Sequence, residues 1–254
     1  IINSIYQIFS GFSPAILFVC GVIFGMYVCW RGAMETRKDR SSVFDLFIIS
    51  IFVGLLAGRT IYILSNWQDF SGYIWYWLPY EKYGEEIYWF RLLPWRFFNI
   101  FDGGLDILVM FVGYLFSASF WSSIVKKWRW NHMFPTIYFS GEVMLSISFL
   151  LIGLGSENPT WIYEGLILSI FPLISVLLIK YIEKVQKPKL EKDIYFMANL
   201  ILILVSSIII GYIYLTGEID QYEKITVIAL LVWAVIGLGL FAKDSKRANV
   251  VIEK

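Results

Sequence analysis

The chain has 254 residues, 58% of them hydrophobic and only 16% charged, with a mean hydropathy of +0.67. A soluble domain must coat itself in charge, so this composition excludes one and marks a polytopic membrane protein. The formal net charge is +1, and the lysines and arginines form small clusters between apolar runs rather than one basic face, which excludes nucleic acid as a partner.

Apolar runs long enough to cross a hydrocarbon core of about 30 Å lie near residues 14–30, 45–65, 100–122, 134–154, 161–181, 194–215 and 225–242. They predict an all-α fold of seven transmembrane helices in a single domain over residues 1–254. The first run holds both cysteines, Cys20 and Cys29. Their spacing along a helix sets the Cα atoms beyond a disulfide's span, so both read as small apolar residues. Gly21 with Gly25, and Gly54 with Gly58 in the second run, stand at the four-residue spacing that lets helices approach closely. Arg59 follows at once. Counting ~1.5 Å per residue from Asp45 places it roughly 20 Å into the bilayer, in the outer half.

Residues 66–99 form the longest connection and are densely aromatic, from Trp67 and Tyr73 through Trp75, Tyr76 and Trp77 to Trp89 and Trp95. Glu81, Glu85, Glu86, Arg91 and Arg96 are interspersed among them. Such a segment settles in the headgroup layer, either as an anchoring belt or as an outer-face arm over a lateral lipid entrance.

The third run opens on Asp102-Gly103-Gly104-Leu105, with Asp106 next. The fourth carries Glu142 about eight residues, or ~12 Å, from its cytoplasmic end, with no partner apparent in sequence. It reads as a protonated acid or as one facing a wet cavity. The fifth begins Pro159-Thr160-Trp161-Ile162-Tyr163-Glu164, where Thr160 suits an N-cap and Glu164 a first-turn carboxylate that complements the helix dipole.

The connections alternate in charge. Arg31, Arg37, Lys38 and Arg40 follow the first run, Lys126, Lys127 and Arg129 the third, and Lys184, Lys187, Lys189 and Lys192 the fifth, while the tail carries Lys243, Lys246 and Arg247. The segment before the first run and the link around Glu157 have no basic residue, and the link around Glu218 and Asp220 is acidic. The positive-inside rule therefore places the amino end outside and the carboxyl end in the cytoplasm. With that orientation Arg59, Asp102, Asp106 and Glu164 all fall in the outer leaflet. They make either a lipid-headgroup site, with Arg59 on a phosphate and the carboxylates on hydroxyls, or an internal ion-pair cluster that locks the helices together. An occluded Arg59 favours the second.

Four elements, in order and at compatible spacing, resemble the prolipoprotein diacylglyceryl transferase family. They are Gly21 to Tyr27 with the basic turn Arg31-Gly32-Ala33, the pair Gly58-Arg59, the stretch Phe101-Asp102-Gly103-Gly104-Leu105, and Pro159-Thr160 with Tyr163-Glu164. The resemblance covers most of the chain. It implies a seven-helix protein of a bacterial inner membrane with an external amino end. It also implies an enzyme that transfers diacylglycerol from phosphatidylglycerol to the thiol of a lipobox cysteine. The residues expected to face a phosphatidylglycerol-like lipid are then Arg59, Asp102, Gly103, Gly104, Asp106, Tyr163 and Glu164.

That transfer needs the thiol to lose a proton and the departing glycerol phosphate to be stabilised as charge develops. The chain departs from the family where those groups belong. Leu108-Val109-Met110 stands in place of a His-Gly-Gly, and residues Leu145 to Gly153 keep only the last glycine of a Gly-Arg-x-Gly-Asn-Phe-x-Asn-Gly signature. Ser207, Gly211 and Tyr214 replace charged residues of the sixth span, and the single histidine, His132, follows the cytoplasmic basic cluster. The sequence thus reads as a catalytically degenerate member serving as a structural or accessory subunit, with other membrane subunits as partners and phospholipid bound. The alternatives are an active transferase rebuilt on Arg59, Asp102, Asp106 and Glu164, and a protein that binds or presents phospholipid through the aromatic arm. No catalytic residue, cofactor or metal is assigned, because grouped His and Cys ligands, a Gly-rich phosphate loop and a Ser-His-Asp arrangement are all missing.

Overall fold

Apolar runs in this chain become helices because lipid offers the backbone no hydrogen bonds, so each segment must satisfy its own. The computed structural model describes residues 6, 9–35, 39–71, 80–83, 85–89, 104–128, 130–185, 199, 201–212 and 221–252. In chain order these form α1 (Pro14–Glu35), α2 (Arg40–Ser65), the single turn α3 (Trp67–Ser71), β1 (Tyr80–Tyr83) and β2 (Glu86–Trp89). There follow α4 (Ile107–Phe120), which runs on into a π-helical turn at Trp121–Val125, then α5 (Trp130–Gly155) and α6 (Pro159–Val185). The short helix α7 (Ile201–Tyr212) and the long α8 (Gln221–Ile252) complete the series.

Five of these helices, α1, α2, α4, α5 and α6, are long and apolar enough to cross a membrane. Two shorter apolar helices, α7 and the Lys224–Gly237 stretch of α8, accompany them. Among the described residues, then, five helices reach spanning length and two apolar helices are shorter, where the sequence predicted seven spans. Of the aromatic segment 66–99, the structure describes α3 and an antiparallel hairpin in which Tyr80 pairs with Trp89 and Tyr83 with Glu86. Tyr73, Trp75, Tyr76, Trp77, Arg91, Trp95 and Arg96 lie outside the described residues.

The core is built around α5, which packs against α1, α4, α6 and α8. Met133, Phe134, Ile137, Tyr138 and Met144 of α5 are all buried. Both predicted glycine pairs make close helix seams, each with a helix distant in sequence. A Cβ on Gly25 of α1 would stand 2.8 Å from the Ser140 carbonyl oxygen and from Met144 Cβ, both on α5. On α2, a Cβ at Gly54 would meet the Met110 carbonyl oxygen at 2.5 Å, and one at Gly58 the Asp106 carbonyl oxygen at 2.6 Å. Cys20 and Cys29 are both free thiols, as their spacing required, and Cys29 is buried in the core. Large apolar side chains point outward all the same, including Ile48, Phe52, Leu173, Ile208 and Val235. That pattern suits lipid as the surrounding solvent.

Two helix starts show how local chemistry sets the boundaries. At α2, the Asp39 carboxylate accepts from the Ser42 backbone N–H at 3.0 Å. That bond holds the exposed carboxyl below its ordinary range, aided by the Ser42 hydroxyl and, more weakly, by Lys126. At α6, Pro159 takes the first helical position, where its missing N–H costs nothing. The cap is accordingly Asn158, whose side-chain oxygen accepts from the Thr160 N–H at 3.0 Å, in place of the Thr160 cap read from sequence.

Candidate functional site

Arg59 sits on the buried face of α2 at 3% exposure. Its Nη1 donates to the Gly104 carbonyl oxygen at 2.7 Å. The guanidinium carbon lies 5.6 Å from the centre of the Tyr62 ring and 5.3 Å from that of Phe70. The two rings meet edge to face at 6.3 Å. Tyr62 comes from the next turn of the same helix and Phe70 from α3, so the α2–α3 corner folds two aromatic faces over the cation. This is a favourable surround for a group that keeps its charge at every accessible pH.

The carbonyl that Arg59 holds belongs to the turn entering α4. Gly104 has φ +137°, a backbone conformation that side chains other than glycine's rarely adopt, and the chain turns there before the helix starts. Asp106 is the N-cap of α4, its carboxylate accepting from the Val109 N–H at 2.9 Å. Its own N–H points back to the Gly58 carbonyl oxygen at 3.4 Å. Arg59 and Asp106 thus both tie α2 to the first turn of α4, exactly where Gly58 lets the two backbones approach.

Of the residues expected at a lipid site, the structure brings Arg59, Gly104 and Asp106 together. Asp102 and Gly103 lie outside the described residues. Tyr163 and Glu164 stand on α6, which packs along α5. Tyr163 is 65% exposed, Glu164 is half-buried, and the neighbouring Gly165 carbonyl accepts from the Ser146 hydroxyl of α5 at 2.9 Å.

A second polar cluster occupies the interior, and the sequence reading did not assemble it. Glu142 of α5 has 0% exposure, and neither carboxyl oxygen has a hydrogen-bond partner among the described residues. One turn earlier, the Tyr138 hydroxyl bonds Ser206 at 2.7 Å and Ser207 at 2.9 Å, both on α7. Ser206 lies beside the Glu142 carboxyl without closing a hydrogen bond to it. Trp233 of α8 stacks on Tyr138 at 5.9 Å and donates its indole N–H to Ser119 of α4 at 3.0 Å. Two signals were present in the sequence: Tyr138 and Glu142 at the four-residue spacing that shares a helix face, and adjacent serines in an apolar run. Ser207, read as a lost charge, is in fact a partner of Tyr138.

No group of three or more His, Cys, Asp or Glu residues suited to a metal ion occurs among the described residues. By the length and composition of its helices the chain is a multi-pass membrane protein. Comparison with family models, curated proteins and solved structures returns no match.

Proposed function

We propose that this chain is a seven-span protein of a bacterial inner membrane, with an external amino end and a scaffold like that of the prolipoprotein diacylglyceryl transferases. In this reading it lacks transferase chemistry and serves as a structural or accessory subunit beside other membrane proteins, in contact with phosphatidylglycerol-like lipid. The observation that carries the reading is the occlusion of Arg59. A guanidinium that is to grip a lipid phosphate must offer its donors to the bilayer, whereas this one is 3% exposed, bonded to a backbone carbonyl and covered by two rings. Asp106 is likewise committed, as a helix cap. Both charges act on the α2–α4 seam.

The test is transfer of labelled diacylglycerol from phosphatidylglycerol to a lipobox peptide by the purified protein, beside an Arg59→Ala variant. The expected result is no product from either. Product formed by the wild type and lost in the variant overturns the reading and places an active site at Arg59.

A further inference from the structure

We propose that Glu142 is the proton-binding residue of an intramembrane site lined by Tyr138, Ser206 and Ser207, and that it holds a proton there rather than a metal cation. The first ground is the company the carboxyl keeps. Its own helix offers the Tyr138 phenol, and α7 offers the Ser206 and Ser207 hydroxyls. The Cys29 thiol of α1 and the Tyr114 phenol of α4 close instead on Ser140, two residues along α5 and so on its opposite face. On α8 the Trp233 indole stacks on the Tyr138 ring. Phenol, hydroxyl and indole share one property: none of them bears a positive charge at neutral pH. Among the described residues an ionised Glu142 would be an anion without a hydrogen bond at 0% exposure, which a low-dielectric interior does not tolerate.

The second ground is the supply of hydrogens. A carboxylate only accepts, so it needs donors, and the neighbouring hydroxyl hydrogens are already spoken for. The Ser206 hydroxyl donates to the Ile203 carbonyl at 3.3 Å, and the Tyr138 hydroxyl is shared between Ser206 and Ser207. A protonated Glu142 reverses the demand, because its O–H is itself the donor and the lone pairs of Ser206 become the acceptor. A metal cation fits less well. A hard cation draws several oxygens into one shell, and these hydroxyls are closed on one another instead.

The experiment uses the full chain in phospholipid vesicles. Infrared spectra of wild type minus Glu142→Gln are recorded at neutral pH in H2O and D2O, with K⁺ and then Na⁺ as the only salt cation. The expected difference is a protonated-carboxyl C=O band that shifts in D2O, is indifferent to Na⁺ and moves in Ser206→Ala. Glu142→Gln, a neutral group of the same shape, is expected to fold with a melting temperature within about 2 °C of the wild type. Carboxylate bands in place of the acid band, or a failure of Glu142→Gln to fold, overturns the proton. Loss of the acid band on adding Na⁺ shows a metal-cation site instead, and a band unmoved in Ser206→Ala removes the serines from it.

Discussion

Among the described residues one basic and one acidic side chain, Arg59 and Glu142, are shut inside this bundle, and the fold treats them in opposite ways. Arg59 is held by the Gly104 carbonyl and two aromatic faces, while Glu142 has no hydrogen-bond partner among the described residues. The difference follows from the acids and bases themselves. A guanidinium cannot shed its charge, so burying it requires dipoles and ring faces built around it. A carboxyl can take a proton and become a neutral polar group, so it can be buried with little around it. The cation thus becomes a staple between α2 and α4, and the acid becomes a group that can be buried in neutral form.

The comparison breaks most visibly if a permanent charge is put where the variable one stands. Glu142→Lys puts a permanent ammonium at a position with 0% exposure and is expected to cost on the order of 3–5 kcal/mol, read as loss of monodisperse folded protein in detergent. Arg59→Ala removes a charge-assisted hydrogen bond and two ring contacts and strands the Gly104 carbonyl, a loss of about 2–4 kcal/mol in thermal or denaturant unfolding. Arg59→Lys should fall between, since an ammonium keeps the charge but lacks the flat surface that lies over Tyr62 and Phe70.

The seam that Arg59 fastens can be opened without touching a charge. Gly54→Ala drives a methyl into the Met110 carbonyl oxygen, a backbone atom that cannot step aside, and should cost about 1–3 kcal/mol. Gly239→Ala in α8 meets nothing within 4 Å and should stabilise its helix by up to about 1 kcal/mol. Asp106→Ala removes the α4 cap for about 1 kcal/mol, with Asp106→Asn close to wild type, both read by hydrogen exchange at the Val109 amide.

The smallest effect belongs to Asp39. Its carboxyl is held below the ordinary range by the Ser42 N–H, so the cap is fully formed above the unfolded value of ~4 and is lost as pH falls through the lower folded value. Protection of the Ser42 amide should hold at neutral pH and fade as acid protonates the carboxyl.

Much of the frame was legible because it depends on local rules. Apolar length gave the helices near their observed places, and four-residue glycine spacing gave the seams. Spacing names a face, however, and not the helix that will lie against it, so the α1–α5 and α2–α4 pairings emerged only in three dimensions. The depth of Arg59 was countable from sequence, but its occlusion depends on Phe70, eleven positions on and across a break in the helix. The Thr160 cap was misread because a proline at 159 takes the first helical position and moves the cap two places earlier, to Asn158. Glu142 was visible as an acid in an apolar run. The hydroxyls beside it arrive from α7, more than sixty residues later, and no periodicity announces them.

Whether Arg59 holds helices or a lipid phosphate is decided most directly by purifying wild type and Arg59→Ala side by side and measuring melting temperature together with phosphatidylglycerol retained per folded protein. The account expects the melting temperature to drop by roughly 5–15 °C while the retained lipid stays the same. An unchanged melting temperature with the lipid lost would contradict it.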